Sequence, residues 1–342
     1  MLSKLGVFLA SFALAAAAAC SAPPATAKQR QATPANLKSV LDSARAGDVI
    51  VLGPGSYRDV RISQREFSPS LVLDARAATI EGFSGKNITG LRILGGSFSV
   101  PPPTLKASTG KLVFGYATRF DNAKRIALVD TRFFGPGAPA SSQDGPYGEG
   151  YGVFVIIGSD VEVTNGRFQG LKNGIVLSRV EGFKITQNQF SAMRSDGINV
   201  AESRRGLIEG NICGATRIRD LEHPDCIQMW SRPTSPPTAD VVIRGNRAEG
   251  MTQGIGLFNH VRDGVDDGGF DRILVEDNDL TVGYGQGIAL SSGRDSVVRN
   301  NRVRTFKGAK YRASINTGPG VTRCGNTVAP GAGKQGQVDR AC

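Results

Sequence analysis

From about residue 160 onward, apolar and polar positions alternate in short bursts that repeat one pattern along the chain. The clearest copy reads Gly182-Phe-Lys-Ile185-Thr-Gln-Asn188-Gln-Phe190 and then Asp196-Gly-Ile198-Asn-Val200. Each copy carries an apolar residue, an asparagine three positions later, and a Gly-Ile-x-Val-like strand. The asparagines are Asn188, Asn211, Asn246, Asn278 and Asn301, at spacings of 23, 35, 32 and 23 residues. A unit of 23 fits one rung of a parallel β-helix. The two longer intervals fit rungs whose loops hold roughly 12 and 9 extra residues. Alternation inside each strand predicts one buried and one wet face. The asparagines are expected to stack at turns, bonding one rung to the next.

The front of the chain predicts a different element. Thr33-Pro34 reads as an N-cap followed by proline at the first helical position, Leu37, Val40, Leu41 and Ala44 form an apolar stripe, and Gly47 ends it. A short helix here would cap the open end of the coil and hide its strand edge. This helix together with GDVIVLGPGSYRDVRI (residues 47–62) resembles the start of exported proteins of the pectate-lyase-like superfamily. The resemblance implies an all-β fold, a single-stranded right-handed parallel β-helix with an N-terminal capping helix. It is weaker on reaction, since that superfamily includes lyases, hydrolases, epimerases and non-enzymes. The expected organisation is a signal peptide at 1–27, the cap helix at 28–47, the β-helix at 48–330 and a C-terminal tail at 331–342.

The signal peptide is read from charged Lys4, the short apolar stretch Leu5 to Ala19 and the small residues after it. Cleavage after Ala25-Thr26-Ala27 fits, and so does cleavage before Cys20 with a lipid added to that cysteine. A periplasmic or secreted protein is therefore expected, with membrane attachment only through Cys20. Four further cysteines, an even count in an oxidising compartment, predict disulfides 213–226 and 324–342. No Cys-x-x-Cys pair suggests zinc.

Composition adds little to the fold but something to the partner. Forty-four glycines and one tryptophan in 342 residues argue for many turns and against a helical bundle. The net charge is +11, and removing the first 27 residues leaves 40 basic against 30 acidic side chains. That surplus favours an anionic partner, expected here to be an acidic polysaccharide rather than a nucleic acid, bound by a monomer.

Stacking the rungs turns equivalent positions into rows. Just before the Gly-Ile-x-Val strand stand Asn173, Asp196, Asp225, Gln253 and Gln286, and two positions earlier Leu171, Arg194, His223, Met251 and Tyr284. Outward positions inside the strand are Val176, Asn199, Gln228, Gly256 and Ala289, followed by Ser178, Ala201, Trp230, Phe258 and Ser291. Acid, amide, imidazole, guanidinium and aromatic groups thus gather on the middle rungs, where the two histidines also fall. A uronate lyase must neutralise a carboxylate, take the neighbouring proton and protonate the leaving oxygen. His223 is the expected base, its pKa depressed by an adjacent Arg194 that also neutralises substrate, with Tyr284 as the acid. Asn199, Gln228, Gln253 and His260 would hold substrate, while Trp230 and Phe258 offer a platform for a sugar ring.

Two rival readings use the same rows. Asp196 and Asp225, one rung apart, could serve as the acid and base of a glycoside hydrolase, or merely cap turns before glycine. A non-catalytic envelope protein that binds acidic glycans is the other. No cofactor is required, although Asp263-Gly-Val-Asp266-Asp267-Gly-Gly-Phe-Asp271 is acidic enough to suggest a Ca²⁺ loop. Departures from the superfamily's motifs are clear. Arg-x-Pro-x-x-Arg and Gly-His-Gly are missing, and the epimerases' Asp-Pro-His runs here as His223-Pro224-Asp225. The family's catalytic assignments therefore do not transfer.

Overall fold

A computed structural model of the chain describes residues 27–106, 108–136, 148–214, 216, 223–231, 237–259, 261–262, 265–266, 268–329 and 336–342. The signal peptide and Cys20 lie outside the described residues. Nearly all the described strands join one sheet that coils on itself, each strand pairing in parallel with its counterpart one rung on. Asn173–Thr186, for example, lies between Tyr151–Thr164 and the pair Ile198–Ala201 and Arg204–Glu209, in the register Val155↔Leu177↔Val200.

Alternation explains the coil. Ile175, Leu177, Phe183, Ile185 and Phe190 from one rung all point inward and are buried, so successive rungs build a continuous apolar column. Phe98, Phe133, Phe168 and Phe190 stack down one corner of it, with ring centroids 5.4, 4.6 and 4.9 Å apart. Gly174 lets the backbone pass here, because a Cβ would sit 2.5 Å from the Phe190 ring. Corners need left-handed backbone, and Asn165, Gln187, Gly210, Gly245, Asp277, Asn300 and Gly325 supply it in register at one of them.

Directly after those corner residues stand the stacked asparagines, in one line as the spacing predicts. The side-chain amide of each donates to the carbonyl oxygen of the next, Asn188 to Asn211 to Asn246 to Asn278 to Asn301, at 2.9–3.0 Å. Asn326 extends the line by one more rung at 2.9 Å. Each amide also bonds main-chain groups, so a row of buried polar side chains leaves no group unpaired.

Both ends differ from the sequence expectation. In place of a helix from Thr33 to Gly47, the chain forms a first strand, Gln29–Ala32, and a six-residue helix, Leu37–Asp42. The strand wins because Gln29–Ala32 can pair with Val49–Leu52, and the Thr33 carbonyl accepts from the Asn36 and Leu37 amides instead of starting a full turn earlier. At the other end the tail doubles back. Gln337–Val338 pairs antiparallel with Thr327–Val328, and Asp339 accepts from Arg323 and Asn326.

Cys213–Cys226 and Cys324–Cys342 are both bridged. Cys213 occupies the rung position after Phe190 in the aromatic corner, and Cys226 lies beside Asp225 at the start of its strand. Replacing both Cys213 and Cys226 by alanine should therefore lower the unfolding free energy by about 2–4 kcal/mol, read as a fall in the urea midpoint.

Candidate functional site

The rows expected on the middle rungs are present. Val176, Asn199, Gln228 and Gly256 are register partners on successive strands, as are Ala201, Trp230 and Phe258. Asp225 faces Gln253 one rung on. Asn173, Asp225 and Gln253 open their strands and Asp196 stands just before one, and all four are drawn into the wall. Asn173, Asp196, Asp225 and Gln253 are all buried.

A continuous hydrogen-bond network joins Asn173, Asp196 and Asp225. The Asn173 and Asn199 amides donate to Asp196 Oδ2 at 3.1 and 2.8 Å, and the Asp225 N–H donates to Asp196 Oδ1 at 3.2 Å. Asn199 also donates to Gln228 Oε1 at 2.8 Å, Gln228 donates to Asp225 Oδ2 at 2.9 Å, and the Trp230 indole N–H donates to Gln228 Oε1 at 2.6 Å. Trp230 and Phe258 lie 5.3 Å apart at 42° and both are half-buried, so the platform keeps part of its surface open.

His223 sits over this network. Its Nδ1 is 3.9 Å from Asp225 Oδ2, an ion-pair distance too long for a hydrogen bond, and its side chain is 58% exposed while that of Asp225 is fully covered. Burial pushes the Asp225 carboxyl up to about 7, the charge of Asp196 adds to that, and His223 opposes it. Burial also raises Asp196, against the hydrogen bond from Asn199. Two stacked carboxyls in one covered row thus resist ionising together. Asp225 Oδ1 and Gln253 Oε1 are buried acceptors without a partner, and a proton on Asp225 would give that oxygen a hydrogen to donate.

Three electrostatic expectations are corrected. The pKa of His223 is raised, not depressed, because the Asp225 carboxylate beneath it favours the imidazolium. Arg194 is not the cation that governs His223, since its guanidinium is paired with Glu149. Asp196 and Asp225 do more than cap turns, yet neither offers an open carboxylate to solvent. Tyr284, two rungs beyond His223 in the same row, is half-buried, and burial raises its phenol pKa. It therefore holds its proton at neutral pH.

His260 lies outside the described residues, as do Asp263, Asp267 and the Asp266 side chain of the suggested Ca²⁺ loop. Asp271 at the end of that loop accepts from Arg294 Nε at 2.5 Å. Among the described residues no three His, Cys, Asp or Glu side chains gather as metal ligands.

One group of wall residues escaped the sequence reading. Tyr116 and Tyr151 precede Asn173 in its row, and Arg119 and Phe154 precede Val176 in the next. The signal was present, because Tyr151-Gly-Val-Phe-Val155 repeats the pattern of Asn173-Gly-Ile-Val-Leu177.

Comparison with known proteins agrees with the coil. Residues 146–303 match the family described as right handed beta helix region. No curated protein matches the chain. Among solved structures the chain is similar to PfbA, a surface adhesin of Streptococcus pneumoniae, at 10% identity over 90% of this chain and 95% of that one, with a TM-score of 0.55. It is also similar to a family 28 exopolygalacturonase of Yersinia enterocolitica, at 10% identity over 87% and 76% of the two chains and a TM-score of 0.50. An endo-xylogalacturonan hydrolase from Aspergillus tubingensis matches at 11% identity over 86% and 87%, also with a TM-score of 0.50. Identities this low carry the fold and leave the reaction open. The chain folds as a right-handed parallel β-helix.

Proposed function

We propose that this protein binds an acidic, uronic-acid polysaccharide such as alginate on its middle rungs and cleaves it by β-elimination, with His223 as the base. The observation that carries this reading is an exposed imidazole 3.9 Å from the buried Asp225 carboxyl, beside amides and an aromatic platform. The neutral imidazole would take the proton next to the uronate carboxyl. The electron pair left behind forms the C4–C5 double bond as the C4–O bond breaks, and the leaving oxygen takes a proton from a nearby acid. Tyr284, still protonated, fits that part. Asn199, half-buried, would hold substrate through its amide, with Gln228 and Gln253 buried behind it, and Trp230 with Phe258 would stack a ring. Arg194 enters only if the uronate displaces Glu149 from it. The protein's positive charge favours an anionic polymer, and two disulfides fit an oxidising, extracytoplasmic setting. Export by the N-terminal leader, without lipid or Ca²⁺ in the chemistry, completes the proposal.

The hydrolase reading has one observation in its favour, the raised pKa of Asp225 beside Asp196. Their complete burial counts against direct contact with a sugar. The discriminating assay offers alginate, pectate and glucuronan and follows new ultraviolet absorbance, which elimination creates and hydrolysis does not. Reducing ends without absorbance would replace the lyase by a hydrolase, and binding without any product would leave a glycan-binding protein.

The sign of the pH dependence follows from His223. A raised pKa keeps the imidazole protonated, and useless as a base, to a higher pH than an ordinary histidine near 6.5. Turnover should rise with pH through that raised value. Asp225→Asn removes the anion that favours the imidazolium, so the rising limb of kcat/KM should move to lower pH. A profile that stays in place would remove Asp225 from the base's environment.

A further inference from the structure

Three rungs before Gln228, the same wall carries a second aromatic group. Tyr116 and Tyr151 stack at 5.2 Å and 26°, and Phe154 lies 4.7 Å from Tyr116 and 5.7 Å from Tyr151. Arg119 lies over the Tyr116 and Phe154 rings at 4.9 and 5.5 Å. All four side chains are half-buried. Outward rings in a cluster of this size are unusual on a solvent-facing strand, whose wet face needs none of them. Arg119 is held bidentately by Asp121, with both bonds at 2.7 Å. Its charge is thereby answered within the wall, and the half-buried rings leave part of the cluster's surface to solvent.

Register makes this cluster part of the candidate site. Phe154, Val176, Asn199 and Gln228 are successive partners in one outward row, and only the modest side chains of Val176 and, beside it, Ser178 lie on the intervening rung. From Phe154 to Gln228 is three rungs, or roughly 14 Å at the usual strand spacing. A 1,4-linked pyranose chain advances about 5 Å per sugar, close to that spacing of roughly 4.8 Å, so sugars laid along the coil keep step with its rungs. Rings with polar edges suit a sugar, whose C–H face is apolar and whose rim carries hydroxyls.

We propose that Tyr116, Tyr151 and Phe154 form a distal subsite that stacks a pyranose ring of the bound polysaccharide about three sugars from the one held near His223. This rests on the reading of the middle rungs as the reaction centre. The subsite recognises ring shape and leaves the carboxylate to other groups. It makes the protein prefer long chains to short ones.

The test uses mannuronate oligomers of two and six sugars, with kcat/KM from product absorbance and affinity from calorimetry. The wild-type protein should prefer the hexamer. Phe154→Ala should cut that preference by about tenfold, the order of one aromatic contact. Phe154→Leu, which keeps apolar volume without a ring, should lose it as well and guards against misfolding of the alanine variant. If no oligomer is turned over but the hexamer binds and Phe154→Leu weakens it, the subsite stands and the lyase reading falls. Equal losses for both lengths, no loss for either, or no binding of the hexamer would overturn the subsite.

Discussion

Replacing His223 by alanine should lower kcat by about 10²–10⁴-fold, the usual worth of a positioned base, while leaving the urea midpoint near that of the wild type. The size follows from the role, since no other described imidazole sits in the wall. Preservation of the fold follows from the geometry. The His223 side chain is mostly exposed and its ionic partner is Asp225 at 3.9 Å, so its removal opens no cavity. It does remove the positive charge that opposes protonation of Asp225. That carboxyl then stays neutral to a higher pH, which suits a buried group, and the core has no unpaired charge to accommodate. Asp196→Asn and Asp225→Asn give the contrast. Full activity in His223→Ala together with loss in either carboxyl variant would transfer the chemistry to the aspartates and a hydrolytic mechanism. Rates in the three variants, measured on the same polymer by absorbance and by reducing ends, decide the matter.

The coil was legible because it is periodic. An Ile-x-x-Asn step and a Gly-Ile-x-Val-like strand, returning at 23 residues or at 23 plus a loop, determine which side chains face inward, and the rows read from them match the observed register at Asn199, Gln228 and Trp230. The electrostatics were not legible, for two reasons. Alternation tells inside from outside within a strand, but Asp196 stands just before its strand and Asp225 at the first position of its own, where depth has no period. Their burial, which raises both carboxyls, had no sequence signature, and neither did the Asp225 contact that raises the imidazole. Arg194 finds Glu149, a residue 45 positions earlier on a neighbouring segment, and a pairing between non-repeating residues obeys no spacing. The aromatic group at Tyr116 and Phe154 escaped for a simpler reason. The asparagine that marks each rung begins at Asn188, and the two earlier rungs carry Thr131 and Gly166 in its place.

Asn246→Ala should be the most damaging single change among the ladder positions, at about 3–5 kcal/mol of unfolding free energy. Asn246 is buried in the middle of the line. Its carbonyl oxygen accepts from both the backbone N–H and the side-chain amide of Asn211, and its own amide donates to Asn278, Ile208 and Arg244. Alanine deletes all of these at once, and no water can readily reach a site walled by rungs on either side. Each buried group left without a partner costs about 1–3 kcal/mol. The Asn211 backbone N–H loses its acceptor outright, while its side-chain amide keeps a bond to the Ile185 carbonyl. The total is therefore less than a simple sum over lost bonds. Asn316→Ala supplies the control, because that amide is exposed and bonds only Ser314, and surface changes of this kind stay within about 0.5 kcal/mol. In a coil where each rung touches only its neighbours, breaking the line also separates the two halves energetically. The denaturation curve of Asn246→Ala should consequently broaden or divide as well as shift. A loss below about 1 kcal/mol, with the transition as sharp as that of Asn316→Ala, would mean that strand pairing and the apolar column hold the rungs together without the amides.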